Sequence, residues 1–185
     1  MSNTQLSFDV LSTPNIKSEP HGLIVTEALA SKYQRKLYSL PYDHEMSGDS
    51  FSSLFDIPTH ISKQGRNRVL GAAFEDFVVD NLEFNSGKIY DENHSRRELA
   101  DACVGNYALE IKYRANMNDA KMLRGIRSIG ESLIAKGYQP VALLCREDNS
   151  DAFLTAARDY IVVQGFEPVC NFISFLNSTK PTNEN

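Results

Sequence analysis

The chain has 185 residues, enough for one sizeable domain with elaborations, and 42% hydrophobic against 23% charged residues is ordinary for a globular protein. Its 24 acidic residues outnumber 19 basic ones, for a net charge of −5; this argues against a non-specific nucleic-acid coat but not against an enzyme with a local basic surface. No apolar run is long enough to span a membrane, and the start of the chain lacks the basic-then-apolar order of a signal peptide, so the expected location is the cytoplasm.

Residues 1–22 are rich in Ser, Thr, Asn and Pro without a clear period and read as an arm. A helix is predicted over 23–39, ending before Pro41, with Ala28, Leu29, Tyr33 and Leu37 near one face and Lys32, Arg35 and Lys36 on another. Residues 40–62 contain Pro41, Gly48 and Pro58 and read mostly as loop. His44-Glu45 and His60 fall there without a His-Glu-x-x-His or His-Asn-His context, and they read as loop residues rather than ligands. A stronger helix follows over 63–82, where Leu70, Ala73, Phe74, Phe77 and Val78 make an apolar stripe at i, i+3, i+4 spacing. Residues 83–97 form a polar connection with a short possible strand near Lys88-Ile89-Tyr90.

The stretch over 98–113 carries most of the information. Gly105-Asn106 between two alternating runs predicts a β-hairpin with a two-residue loop. Counting outward pairs Val104 with Tyr107, Cys103 with Ala108, Ala102 with Leu109, Asp101 with Glu110, and Leu99 with Lys112. One face is then Ala100, Ala102, Val104, Tyr107, Leu109 and Ile111; the other carries Asp101, Glu110 and Lys112. Two opposed carboxylates, with Cα atoms about 4.5–5.5 Å apart, repel unless a cation lies between them. A hard divalent ion with oxygen ligands fits that need, and Lys112 stands one pleat away. This is the minimal equipment for metal-assisted phosphodiester chemistry.

Downstream, Asn118 or Asp119 can cap a helix running to Lys136, with Leu123, Ile126, Gly130, Leu133 and Ile134 as its buried stripe and Gly137 as a left-handed cap. Val141-Ala142-Leu143-Leu144-Cys145 reads as a strand covered on both faces. Another helix is predicted from Asn149 or Ser150 to about Gln164, then Gly165 and a short strand at Val169-Cys170, with a polar tail from Ser178. Gly137-Tyr-Gln-Pro-Val141 echoes Gly165-Phe-Glu-Pro-Val169, which reads as one helix-to-strand connection used twice. Cys103, Cys145 and Cys170 form no Cys-x-x-Cys pair; each falls in a predicted strand and reads as a small buried hydrophobe. The expected architecture is α/β, a mixed central β-sheet flanked by helices. It divides into an N-terminal elaboration (1–62) suited to dimerisation or DNA recognition, a core (63–177) and a tail (178–185).

Asp101, Glu110 and Lys112 on such a hairpin, with a helical carboxylate upstream, resemble the PD-(D/E)xK nuclease superfamily, the fold of most type II restriction endonucleases. The 63–82 helix resembles the family's first core helix and Glu75 its acid, with Asp76 and Glu83 as competitors; Ala100 stands where the family's variable Pro often precedes the Asp. Leu99-Ala100-Asp101 through Glu110-Ile111-Lys112-Tyr113-Arg114, with Gly137 to Val141 downstream, is also similar to the ApaLI-like restriction enzymes. The resemblance implies a restriction endonuclease-like core and a Mg²⁺-dependent endonuclease cutting double-stranded DNA, of the type II site-specific kind. It implies that Asp101, Glu110, the Ile111 carbonyl and Glu75 hold the ion, Glu75 directly or through water. Lys112 would orient or deprotonate the attacking water.

Arg114, Lys121, Arg124 and Arg127 follow the motif and are expected at DNA phosphates, while Gln64, Arg66, Asn67 and Arg68 have side chains suited to base readout. Symmetric cleavage of a palindrome implies a homodimer. No Gly-rich phosphate loop is present, so ATP-driven activity is not expected. A repair or junction-resolving nuclease or nuclease subunit, and a non-catalytic nucleic-acid-binding module on the same fold, are the rival expectations.

Overall fold

A computed structural model describes residues 23, 26–40, 50–55, 63–92, 97–116 and 119–179, apart from the side chains of Glu27, Phe55, Lys63 and Gln64. The expected arm, His44-Glu45, His60, the Gln64 side chain and nearly all of the expected polar tail lie outside that description. Helix α1 spans Glu27–Tyr38 and begins where the Thr26 hydroxyl accepts the Leu29 N–H at 3.2 Å. A short 3₁₀ helix covers Ser52–Phe55, and α2 covers Lys63–Asp80. The α2 stripe is buried as expected, with Leu70, Ala73, Phe74 and Val78 at 0% exposure and Phe77 at 1%. On α1, Leu29, Tyr33 and Leu37 are buried at i, i+4, i+8, but Ala28, one position off that row, is exposed. The stretch expected as loop supplies Phe51, a fully buried ring 5.3–6.2 Å from Phe74, Phe77, Tyr113 and Phe166.

The central sheet has four strands in the order β3-β4-β5-β6: Ala102–Val104, Tyr107–Lys112, Gln139–Leu144 and Ile161–Gln164. β3 and β4 pair antiparallel, whereas β4–β5 and β5–β6 are parallel, so the sheet is mixed. The hairpin register is the one counted from Gly105-Asn106: Val104 pairs with Tyr107, Cys103 with Ala108, and Ala102 with Leu109. Leu109, Ile111, Val141, Leu143 and Val163 project into one core with α1, α2 and α5 (Phe166–Ser178). Ala142 and Leu144 project the other way, under α3 (Ala120–Ala135) and α4 (Asp151–Ala156). This two-sided burial explains the unbroken apolar run in β5. The outer edge of β3 is closed by Asn85 and Ser86: the Asn85 side chain accepts the Cys103 N–H at 3.3 Å and the Ser86 N–H donates to the Cys103 carbonyl at 2.8 Å.

β1 (Ile89–Asp91) and β2 (Arg97–Ala100) form a separate antiparallel ribbon beneath α3. Here the hairpin departs from expectation. Leu99 and Ala100 leave the β4 ladder, so Lys112 does not face Leu99, and Ala100 packs with Ala108 and Leu133 rather than with Ala102.

Helix α3 is capped by Asp119, and Ile126, Gly130 and Leu133 are buried, Leu123 partly so; Ile134, expected in that stripe, is 50% exposed. The segment after it corrects a larger expectation. The helix predicted over 149–164 is short α4 followed by β6, and the strand predicted at Val169-Cys170 lies inside α5. The β-branched run Ile161-Val162-Val163 is a strand signal that the helical reading passed over. The two echoing pentapeptides therefore do opposite work. Gly137 (φ +86°) leads a helix into a strand, while Gly165 (φ +98°) leads a strand into a helix. Pro140 opens β5, and Pro168 sits in the first turn of α5, where a missing N–H costs nothing. The three cysteines are buried and form no disulfide; Cys145 lies just past β5, and burial pushes the helical Cys170 thiol up to about 11. Among the described residues no helix is long and apolar enough to cross a membrane.

Candidate active site

The site begins with a break in the hairpin. Asp101 donates its N–H to the Leu109 carbonyl at 2.8 Å, although Ala102 is the ladder partner of Leu109. Two residues thus address one, the count of a β-bulge, which re-aims a side chain and bends the strand. The Ile111 N–H, which a regular ladder would give to the Ala100 carbonyl, instead donates to Asp101 Oδ2 at 2.7 Å. The carboxylate replaces the missing backbone acceptor. That exchange locks Asp101 against β4 and frees β2 to turn away.

Glu110 and Lys112 alternate with buried Leu109 and Ile111 and so share the other face of β4. The Lys112 ammonium is where the site converges. Nζ lies 2.7 Å from Glu110 Oε1, 3.3 Å from the Ile111 carbonyl oxygen and 3.7 Å from Asp101 Oδ2. The Asp101 and Glu110 side chains are only 11% and 13% exposed. Burial raises the Glu110 pKa; the Lys112 charge opposes that rise and the Asp101 carboxylate adds to it. Burial alone would lower the Lys112 pKa, but Glu110 and then Asp101 outweigh it, and the amine is held charged above its usual value.

Glu75 does not complete a three-carboxylate set. Among the described residues no three His, Cys, Asp or Glu side chains come close enough to share a metal ion. Glu75 Oε1 is instead 3.5 Å from Lys88 Nζ, and Lys88 also binds Glu98 at 3.0 Å. Of its competitors, Asp76 is taken by Lys32 of α1 at 2.6 Å, and the Glu83 N–H donates to Asn177 of α5. Sequence reasoning missed Lys88 and Glu98. Glu98 lies on β2, whose departure from β4 the alternation count does not foresee.

A groove of about 550 Å³ runs between α2 and the end of β4, lined by Asn67, Arg68, Gly71, Glu75, Ile111 and Lys112 and continuing to Arg114 and Asn116. It brings together six of the expected site residues at the carboxyl ends of parallel strands, where open α/β sheets bind ligands. Arg114 reaches it while paired to Asp148 at 2.7 Å. Arg66 is a correction: it is 4% exposed and donates to Ser52 Oγ at 3.2 Å, so it serves the interior and not a base edge. Lys121, Arg124 and Arg127 are exposed on α3, which packs on the sheet face that Glu110 and Lys112 share and not on the α2 face, and none lines the groove.

No family model matches this chain, and neither the curated proteins nor the solved structures contain a significant match to it.

Proposed function

We propose that this chain is a Mg²⁺-dependent endonuclease that hydrolyses phosphodiester bonds in double-stranded DNA, a type II site-specific enzyme on a restriction endonuclease-like core. The observation that carries this reading is the convergence on Lys112 Nζ of three oxygens, Asp101 Oδ2, Glu110 Oε1 and the Ile111 carbonyl, all within 3.7 Å. The ammonium stands where a cation is wanted. An all-oxygen donor set with two carboxylates suits Mg²⁺, which is commonly held by one or two carboxylates and several waters.

In this reading Asp101, Glu110 and the Ile111 carbonyl hold the ion. Bound there, Mg²⁺ supplies Lewis-acid polarisation of the scissile phosphate and a more acidic water. The protein's own contribution is positional. The Asp101 carboxylate is aimed by its bond from the Ile111 N–H, and Glu110 is kept largely from solvent. Lys112, held charged by its two carboxylate neighbours, is an N–H donor. That favours orienting water and offsetting charge on the phosphoryl group over taking a proton. Arg68 and Arg114, on the two walls of the groove, offer phosphate contacts on either side of the cut. Cutting both strands at a palindrome calls for two such sites, hence a homodimer.

The direct test is plasmid incubated with the purified protein, with and without Mg²⁺, followed by sequencing of fragment ends. Discrete ends that require Mg²⁺ are expected. Intact plasmid under both conditions defeats the proposal, and cutting restricted to branched or nicked DNA replaces it with a repair or junction-resolving role.

A further inference from the structure

Lys88 just precedes β1 and reaches both β2 and α2. Its Nζ lies 3.0 and 3.1 Å from the two Glu98 carboxylate oxygens and 3.5 Å from Glu75 Oε1. The three side chains are each 38–39% exposed, against 11% and 13% for Asp101 and Glu110. Glu75 also lines the groove that holds Ile111 and Lys112. A third acid therefore stands across the groove from Lys112, the residue that bridges Asp101 and Glu110.

We propose that Lys88 is a positioning residue for the metal centre: by pairing with Glu75 it holds that carboxylate out of the Asp101, Glu110 and Ile111 oxygen set. The inference rests on the metal-dependent reading above. A Mg²⁺ site works with one or two protein carboxylates. A third would tighten binding and take a coordination position that the chemistry needs for water or phosphate. The Lys88–Glu75 pair keeps that surplus ligand occupied while leaving its charge near the groove.

The test is calorimetric titration of Mg²⁺ into the full chain and into Lys88→Met, Glu75→Gln, the double variant and Lys88→Arg, with thermal melts to confirm folding. Lys88→Met is expected to tighten Mg²⁺ binding by about 5- to 20-fold, because a nearby positive charge is lost and an anionic ligand is released. Most of that gain should vanish when Glu75→Gln is also present. Lys88→Arg should return the affinity to that of the parent chain. Equal tightening with and without Glu75, or no tightening at all, overturns the role assigned to Lys88 while leaving the metal centre standing. A parent chain that binds no Mg²⁺ overturns the metal centre itself, and Lys88 with it.

Discussion

Two lysines in this protein each bridge two carboxylates, and the bridges differ mainly in their access to water. Lys112 joins Asp101 and Glu110, whose side chains are 11% and 13% exposed; Lys88 joins Glu75 and Glu98, which are 39% and 38% exposed. The same ion-pair chemistry therefore has different consequences. In the first bridge burial is the largest influence on Glu110, and its pKa rises despite the adjacent ammonium. In the second, the hydrogen bond that Lys88 donates to Glu98 is the largest influence on Lys88, whose pKa rises. A buried cluster that wants cationic charge is poised to take an ion, whereas an exposed one has water to screen its charges.

The largest expected effect is on activity. Glu110→Ala removes one of the three converging oxygens, and cleavage should fall by more than about 10³-fold; Lys112→Ala should cost about 10²–10³-fold. Fragment assays at saturating Mg²⁺ measure both. Full activity in Glu110→Ala would remove the hairpin from the mechanism.

Stability should separate the bridges next. Lys112→Met leaves two mostly buried carboxylates facing each other and is expected to cost up to about 3 kcal/mol, the low end for breaking a buried pair because Lys112 is itself 31% exposed. Lys88→Met should cost less than about 1 kcal/mol. Urea unfolding of both variants gives the comparison. Adding Mg²⁺ should restore more stability to Lys112→Met than to the parent chain, since the ion then supplies the missing charge. Equal losses in the two variants would show that burial does not distinguish the bridges.

How much of this contrast was legible in the chain follows from which forces are local. The hairpin register could be counted because a two-residue Gly-Asn turn sets it and a period of two carries it outward. The count fails at Asp101, where a side-chain oxygen takes the place of a backbone acceptor, an exchange no alternation pattern records. Glu98 and Lys88 were invisible for the same reason, since their meeting depends on β2 turning away from β4. Arg66 looked like a base-reading residue until the interior claimed it through Ser52, a partner 14 residues away. The Gly-x-x-Pro-Val echo misled because glycine and proline mark where an element starts or stops without saying which kind follows.

The pH response should distinguish the buried bridge again, by a smaller amount. A carboxyl whose folded pKa is raised binds its proton more tightly in the folded chain than in the unfolded one. Stability is thus lost as pH rises from the ordinary carboxylate value of 4.5 through the raised value of Glu110. Glu110→Gln should abolish that part of the pH dependence. Mg²⁺ competes with the same proton, so its binding should weaken on acidification while the pH is still above 4.5. Calorimetric titrations across that range would show it, and Mg²⁺ affinity that held constant down to pH 4.5 would place the ion elsewhere.

The smallest effect concerns the groove floor shared by the two bridges. Gly71 lies one turn before Glu75 on α2, and a Cβ built there meets no atom within 4 Å. Folding therefore does not require glycine at this place, and Gly71→Ala should stabilise the chain by about 0.5–1 kcal/mol through a better helix propensity and a more restricted unfolded state. A glycine kept where alanine would be more stable makes sense if something approaches the helix closely. Gly71→Phe should then fold normally yet weaken DNA binding, as measured by fluorescence anisotropy with a labelled duplex under conditions that prevent cleavage. Arg68→Glu, on the same wall, should weaken it too and lower the salt slope by about one phosphate contact, whereas Arg124→Glu on α3 should not. If Arg124→Glu changed the slope and Gly71→Phe did not, the duplex would lie across α3, and the groove between Glu75 and Lys112 would hold something other than DNA.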